Sequence, residues 1–201
     1  YDDTGALVPL PLAIPSATAS ISLTDTQVSA SGTLAIGAKA SVDTSPLGDT
    51  PLAISVVNSS ATVNVAGTSV LSSTGNATLS AESTVKSTVK PTGLGLSETA
   101  DAAVAISTIS STATVVVGGS TAITSGGALE LSAKNDVQAE TVADISARPT
   151  AVGGTVAVTE LTTVTQASIE DAAQTSSASL NVKADSKNTV LNTAKAAAKG
   201  A

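Results

Sequence analysis

One short alternating strand recurs four times along the chain, and no other feature restricts the fold as much. It reads Leu34-x-Ile36-x-Ala38, then Ala77-x-Leu79-x-Ala81, then Leu129-x-Leu131-x-Ala133, then Leu180-x-Val182-x-Ala184. The closing alanines Ala38, Ala81, Ala133 and Ala184 lie 43, 52 and 51 residues apart. Alternation with a period of two gathers one set of side chains on one face of a strand. A recurrence of about fifty residues marks a repeat architecture, in which each unit covers the apolar face of the next. The twelve residues of these strands are therefore read as one inward ladder.

A second marker keeps the same spacing to within a residue. It is Val8-x-Leu10-x-Leu12, echoed by Leu52-x-Ile54-x-Val56, Val104-x-Ile106 and Val156-x-Val158. A third strand follows at residues 17–21, 61–65 and 113–117, with a degraded copy at 167–169. Next come single apolar residues, Val28, Leu71 and Ile123, and a turn ending in Gly32, Gly75 or Gly127, with Ala178 in the last copy. Glycine at such a corner is expected to supply a positive φ or a close backbone approach. Proline and glycine also punctuate the end of each unit, at residues 46–48, 91–93 and 149–154. The polar stretch Ser97-Glu98-Thr99-Ala100-Asp101 is expected to loop out.

Composition narrows the core. Phe, Trp, Met, Cys and His are absent, and Tyr1 is the single aromatic residue. A core without rings is filled by Val, Ile, Leu and Ala, which suits a narrow, regular space where like residues sit above like. The expected fold is all-β: a parallel β-helix built from about four repeats of roughly fifty residues, each about two coils. A Greek-key β-sandwich is the alternative. The whole chain, 1–201, reads as one array with repeats 1–50, 51–102, 103–154 and 155–187. Residues 188–201 are rich in Ala and Lys, good helix formers, and are expected to form a short helix, a cap or a frayed end.

Hydrophobic residues make up 42% of the chain, too many for a disordered segment, while charged residues are only 12%. Net charge is −7 with scattered basic residues, which argues against nucleic acid as a partner. The most apolar stretch, residues 6–14, is short and broken by Pro9 and Pro11, so membrane insertion is not expected. Without an initiating Met, the chain reads as a processed product or an excerpt from something longer.

Candidate chemistry is sparse. Asp2-Asp3, Glu170-Asp171 and the series Asp136, Glu140, Asp144 raise calcium, but the compact oxygen-rich loop calcium needs is missing. No metal site and no cofactor are expected. With no His, one Arg (Arg148) and no Gly-x-Ser-x-Gly, no catalytic residue is assigned and an enzyme is not expected. Lys134-Asn135 and Lys187-Asn188 raise a Lys–Asn crosslink, yet adjacency is the wrong geometry for bridging strands. Thr24-x-Thr26, Thr112-x-Thr114 and Thr163-x-Thr165 fall at different places in the unit and do not form one rank. Asn58-Ser59-Ser60 and Asn76-Ala77-Thr78 match the glycosylation sequon.

The phrase from Ala113 to Lys134, with its Gly118-Gly119 and Gly126-Gly127 turns between alternating strands, resembles repeats of very large bacterial surface proteins. These are the filamentous-haemagglutinin-like and related β-strand repeat adhesins. The resemblance covers the chain loosely and residues 52–134 best, and the drift of unit length from 43 to 52 departs from it. It implies a parallel β-helix, an extracellular, cell-surface location, and roles in adhesion, biofilm or spacing. The expected function is a non-enzymatic structural or adhesive module, a rigid stalk or scaffold. Its expected partners are neighbouring repeats or further copies of itself. One alternative is a self-assembling subunit of a filament, sheath or surface layer, with residues 5–15 adding a strand to a neighbour. Another is a glycan- or ice-binding module, which brings in surface glycans as partners.

Overall fold

The computed structural model describes residues 11–44, 50–91, 93, 100–146, 152–170 and 172–196. Every regular element among them is a strand, and the strands form three sheets. Numbered in chain order, sheet A holds β1 (Leu12–Ala13), β2 (Ser16–Thr24), β5 (Leu52–Ala66), β8 (Ala100–Val117) and β11 (Val152–Ile169). Sheet B holds β3 (Gln27–Ala30), β6 (Val70–Ser73), β9 (Ala122–Ser125) and β12 (Gln174–Ser176). Sheet C holds β4 (Leu34–Thr44), β7 (Ala77–Val89), β10 (Ala128–Asp144) and β13 (Ser179–Lys195).

From β2 to β13 the chain passes through A, B and C in that order, again and again, and every strand pairing is parallel. The expected Greek-key alternative is antiparallel and does not describe this chain. The spacing of about fifty is also corrected: it is one circuit of three sheets, not two coils. The reason is strand length, since β5, β8 and β10 run 15, 18 and 17 residues and use up the repeat in two long sides and one short one.

Two kinds of corner join the sheets. Between A and B, Gly67 and Gly119 both have φ of 68°, and Asp25 takes the equivalent place at 51°. Asp25 repairs its own corner by accepting hydrogen bonds from the Thr68 N–H at 2.8 Å and the Thr68 hydroxyl at 3.0 Å. Between B and C, the Gly75 N–H donates to the Gly32 carbonyl, Gly127 to Gly75, and Ala178 to Gly127, each at 3.0 Å. None of those glycines has a positive φ; Gly75 and Gly127 supply close approach, whereas Gly32 has open space where a Cβ would stand, so neither expected reason for glycine holds there. A Cβ on Gly75 would lie 3.2 Å from the Gly32 carbonyl carbon.

Several sequence expectations shift. Residues 188–195 are the second half of β13, not a helix, because pairing from Val137↔Asn188 to Asp144↔Lys195 outweighs the helical preference of Ala and Lys. Ala100 and Asp101 open β8 rather than looping out, and Val152, Gly153 and Gly154 open β11 rather than ending a turn. Two markers align two residues away from where repetition put them: Leu12 pairs with Ile54, and Ala19, not Ala17, pairs with Ala61. A slip of two keeps every side chain on its own face, so alternation alone does not detect it. The expectations on Val8, Leu10, residues 46–48, 97–99 and 149–151, and the chain's last residues from 197 on, lie outside the described residues.

Candidate functional site: inner ladders and outer faces

The ladder residues of sheet C stand in three continuous rows. Leu34, Ala77, Leu129 and Leu180 pair in register, as do Ile36, Leu79, Leu131 and Val182, and Ala38, Ala81, Ala133 and Ala184. Leu79, Leu129, Leu131 and Ala133 are fully buried. In the last strand Leu180 is 49% and Val182 43% exposed, because among the described residues β13 is the edge of the sheet with no strand above it. Across the interior, Ala61, Val63, Val65, Val115 and Val117 of sheet A and Leu71 and Ile123 of sheet B complete the same core. Each fully buried Leu or Val contributes about 1.5–3 kcal/mol.

A buried polar seam crosses the interior, and the sequence reading missed it. Ser83 Oγ lies 2.7 Å from Ser59 Oγ and 2.8 Å from Ser111 Oγ. The Ser111 hydroxyl donates to Asn135 Oδ1 at 2.7 Å, and Asn135 Nδ2 donates back to the Ser111 carbonyl at 2.9 Å. Ser59, Ser83, Ser111 and Asn135 are all buried. A second seam joins Ser87 to Ser107 at 3.2 Å and Thr159 to Thr141 at 2.7 Å. Between the seams sit Val42, Val57, Val85, Ile109 and Val137. A buried hydroxyl without a partner costs about 1–3 kcal/mol, so a slip of two residues, harmless to alternation, would break the seam. The seams lock the register that the aliphatic rows leave open.

The outer faces of the two long sheets differ. On sheet C charges alternate along the stacking direction: Lys39, Glu82, Lys134 and Asp185 are register partners. Glu82 receives Lys39 at 3.0 Å and Lys134 at 3.4 Å, Asp144 receives Lys195 at 3.3 Å, and Lys90 meets Glu140 at 2.7 Å. On sheet A the second sequence marker faces outward. Leu52, Val104 and Val156 pair side by side, and so do Leu12, Ile54, Ile106 and Val158. Leu12, Val156 and Val158 are 50%, 51% and 46% exposed. The only outward charge on β5, β8 and β11 is Glu160.

The Lys39 ammonium, hydrogen-bonded to Glu82, holds that carboxyl below its usual range, with Lys134 adding to it. Asp144 is lowered too, first by hydrogen bonds from the Ser146 hydroxyl and N–H, then by Lys195. A depressed folded pKa gives stability that is complete above the unfolded value and lost as pH falls through the folded one. The melting temperature should therefore drop below about pH 4. Glu82→Gln should shallow that drop while costing up to about 1 kcal/mol at neutral pH. An acid limb unchanged in Glu82→Gln, followed by circular dichroism, would show that the charge ladder carries none of it.

Asp136, Glu140 and Asp144 stand on the outer face of β10, strung out by about 13 Å per step. Among the described residues no three acidic side chains converge on a common point. Lys134 and Asn135 point to opposite faces, the first exposed and the second buried. Thr112 and Thr114 face outward on sheet A, whereas Thr163 and Thr165 face inward. A shallow groove of about 220 Å³ lies on sheet C between Lys86, Thr88, Gln138, Glu140 and Leu191. Among the described residues no helix is long and apolar enough to cross a membrane. No family model, no curated protein and no solved structure matches the chain.

Proposed function

We propose that the chain is a stretch of parallel β-solenoid acting as a non-enzymatic scaffold of an extracellular, surface-attached structure. The observation that carries this reading is the register: three sheets stack the same inward residues over one another, from Leu34 to Leu180 and from Val28 to Ile123. Among the described residues nothing caps this stack at β13. At β13 it presents a 17-residue strand edge and the half-exposed apolar residues Leu180, Val182 and Val190. Unpaired edges of this length template further pairing. A neighbouring coil, from the same protein or another copy, completes both the hydrogen bonds and the dry interior.

Dimensions refine the role. Four stacked strands rise only about 19 Å, whereas β8, with 18 residues, is about 55–60 Å long. Each circuit of 43–52 residues therefore adds about 4.8 Å of height. The unit is a plate, inefficient as a spacer and effective as a bearer of two wide faces. Described residues 11–15 lie along β5 of their own chain, with the Pro11 and Pro15 carbonyls accepting from Ile54 and Asn58. That part of the proline-rich start forms an edge of sheet A.

Electron microscopy of the purified chain across a concentration series tests the reading. Stacks with a repeat of about 4.8 Å between strands should grow with concentration. The double variant Leu180→Lys/Val190→Lys, at inward positions left about half exposed by the open end, should abolish them while the fold persists. Stacks unaffected by that variant, or none up to about 500 µM, would remove the scaffold reading.

A further inference from the structure

We infer that two copies of the chain pair laterally, through the outer face of sheet A. The inference goes beyond end-to-end stacking and uses a different surface. The aliphatic patch led by Ile54, Ile106, Val156 and Val158 spans all the stacked strands of the sheet and points to water. It is no by-product of core formation, because the inward positions between these residues, Ala53, Ala105 and Ala157, are filled separately. Monomeric soluble proteins seldom expose a contiguous apolar patch of more than a few hundred Å².

Charge decides which occupant fits. Interface cores are depleted of charged residues, and Glu160, on the edge strand β11, is the only outward charge on β5, β8 and β11. The opposite face, sheet C, holds its lysines and carboxylates in ion pairs. Drying that face would strip both partners of each pair at a cost of several kcal/mol per ion. Copies of a chain with net charge −7 therefore meet most cheaply across sheet A. Size agrees: β5, β8 and β11, of 15, 18 and 18 residues, with the shorter β1 and β2 beside them make a face of about 1,000 Å². A stable complex buries about 800 Å² per partner. With its rows running along the stacking direction, the sheet meets a copy of itself across a two-fold axis parallel to the strands, aliphatic rows on aliphatic rows and the Ser/Thr/Asn rows forming the wetter rim.

Sedimentation of the full 201-residue chain in the Leu180→Lys/Val190→Lys background, where stacking is off, tests the pairing. A dimer should persist there. Adding Ile106→Lys, outward in the middle strand β8, should weaken it at least about 30-fold. The control Thr84→Lys, outward on sheet C, should leave it unchanged. Circular dichroism checks that each variant folds, and Val156→Lys at the sheet edge replaces Ile106→Lys should the latter unfold. A chain that stays monomeric up to about 500 µM, or a dimer indifferent to both sheet A variants, would overturn the inference. So would a monomer that binds insoluble polysaccharide or ice through Ile106, since the face would then have another occupant.

Discussion

Leu131→Asp is expected to abolish folding, leaving no cooperative melting transition at 25 °C. Leu131 is fully buried in β10, between its register partners Leu79 and Val182. Truncation of such a leucine alone costs about 2–5 kcal/mol. The carboxylate adds the burial of an unpaired charge, several kcal/mol more. Whole domains are stable by only about 5–15 kcal/mol. Val182→Asp in the same row offers the contrast: at 43% exposure on the edge strand its charge stays hydrated, and the loss should be no more than about 1–2 kcal/mol. Thermal melts of the two variants read the depth of the row directly. A Leu131→Asp protein that melts like its parent would mean that the row does not face a dry interior.

The sheet C ladder was legible because each strand is short of punctuation and strictly alternating, so the apolar set and the buried set coincide. Sheet A shows why that coincidence is not general. The triplet Leu52, Ile54, Val56 alternates as cleanly as any inward strand, yet it faces out. Its phase is fixed by parity along one uninterrupted strand: Ala61, Val63 and Val65 are buried, so Val57, Ser55 and Ala53 are buried too. Dividing residues 52–66 into two strands hid this continuity. With the strand read as one, the sequence itself announces two aliphatic surfaces, one inside and one outside.

The seams were illegible for a complementary reason. Ser59, Ser83 and Ser111 look like surface residues by type, and only the stacking of sheet A against sheet C supplies their partners. Asn135, next to Lys134, suggests crosslink chemistry by residue type alone, whereas its side chain satisfies Ser111. These polar side chains are buried alongside Val57, Val85, Ile109 and Val137. They make the interior specific, because an aliphatic stack alone tolerates a two-residue slip at little cost.

Gly119→Ala is the second substitution expected to act strongly, and it probes the stacking distance rather than the dry core. Gly119 combines a φ of 68° with a neighbour directly beneath: a Cβ there would lie 2.8 Å from both the backbone nitrogen and the oxygen of Gly67. The left-handed conformation alone costs a non-glycine residue about 1 kcal/mol. Relieving the contact also requires moving one corner off the next, which strains the Ser120 N–H to Gly67 carbonyl bond, now 2.8 Å. Together these should lower stability by about 2–4 kcal/mol. Gly154→Ala is the matched control, since nothing lies within 4 Å of its Cβ position and the residue sits in a strand, where alanine gains up to about 1 kcal/mol over glycine. Urea melts of the two should move in opposite directions. If Gly119→Ala instead matches Gly154→Ala, the A-to-B corners are not held in backbone contact, and the stack is built on its side chains alone.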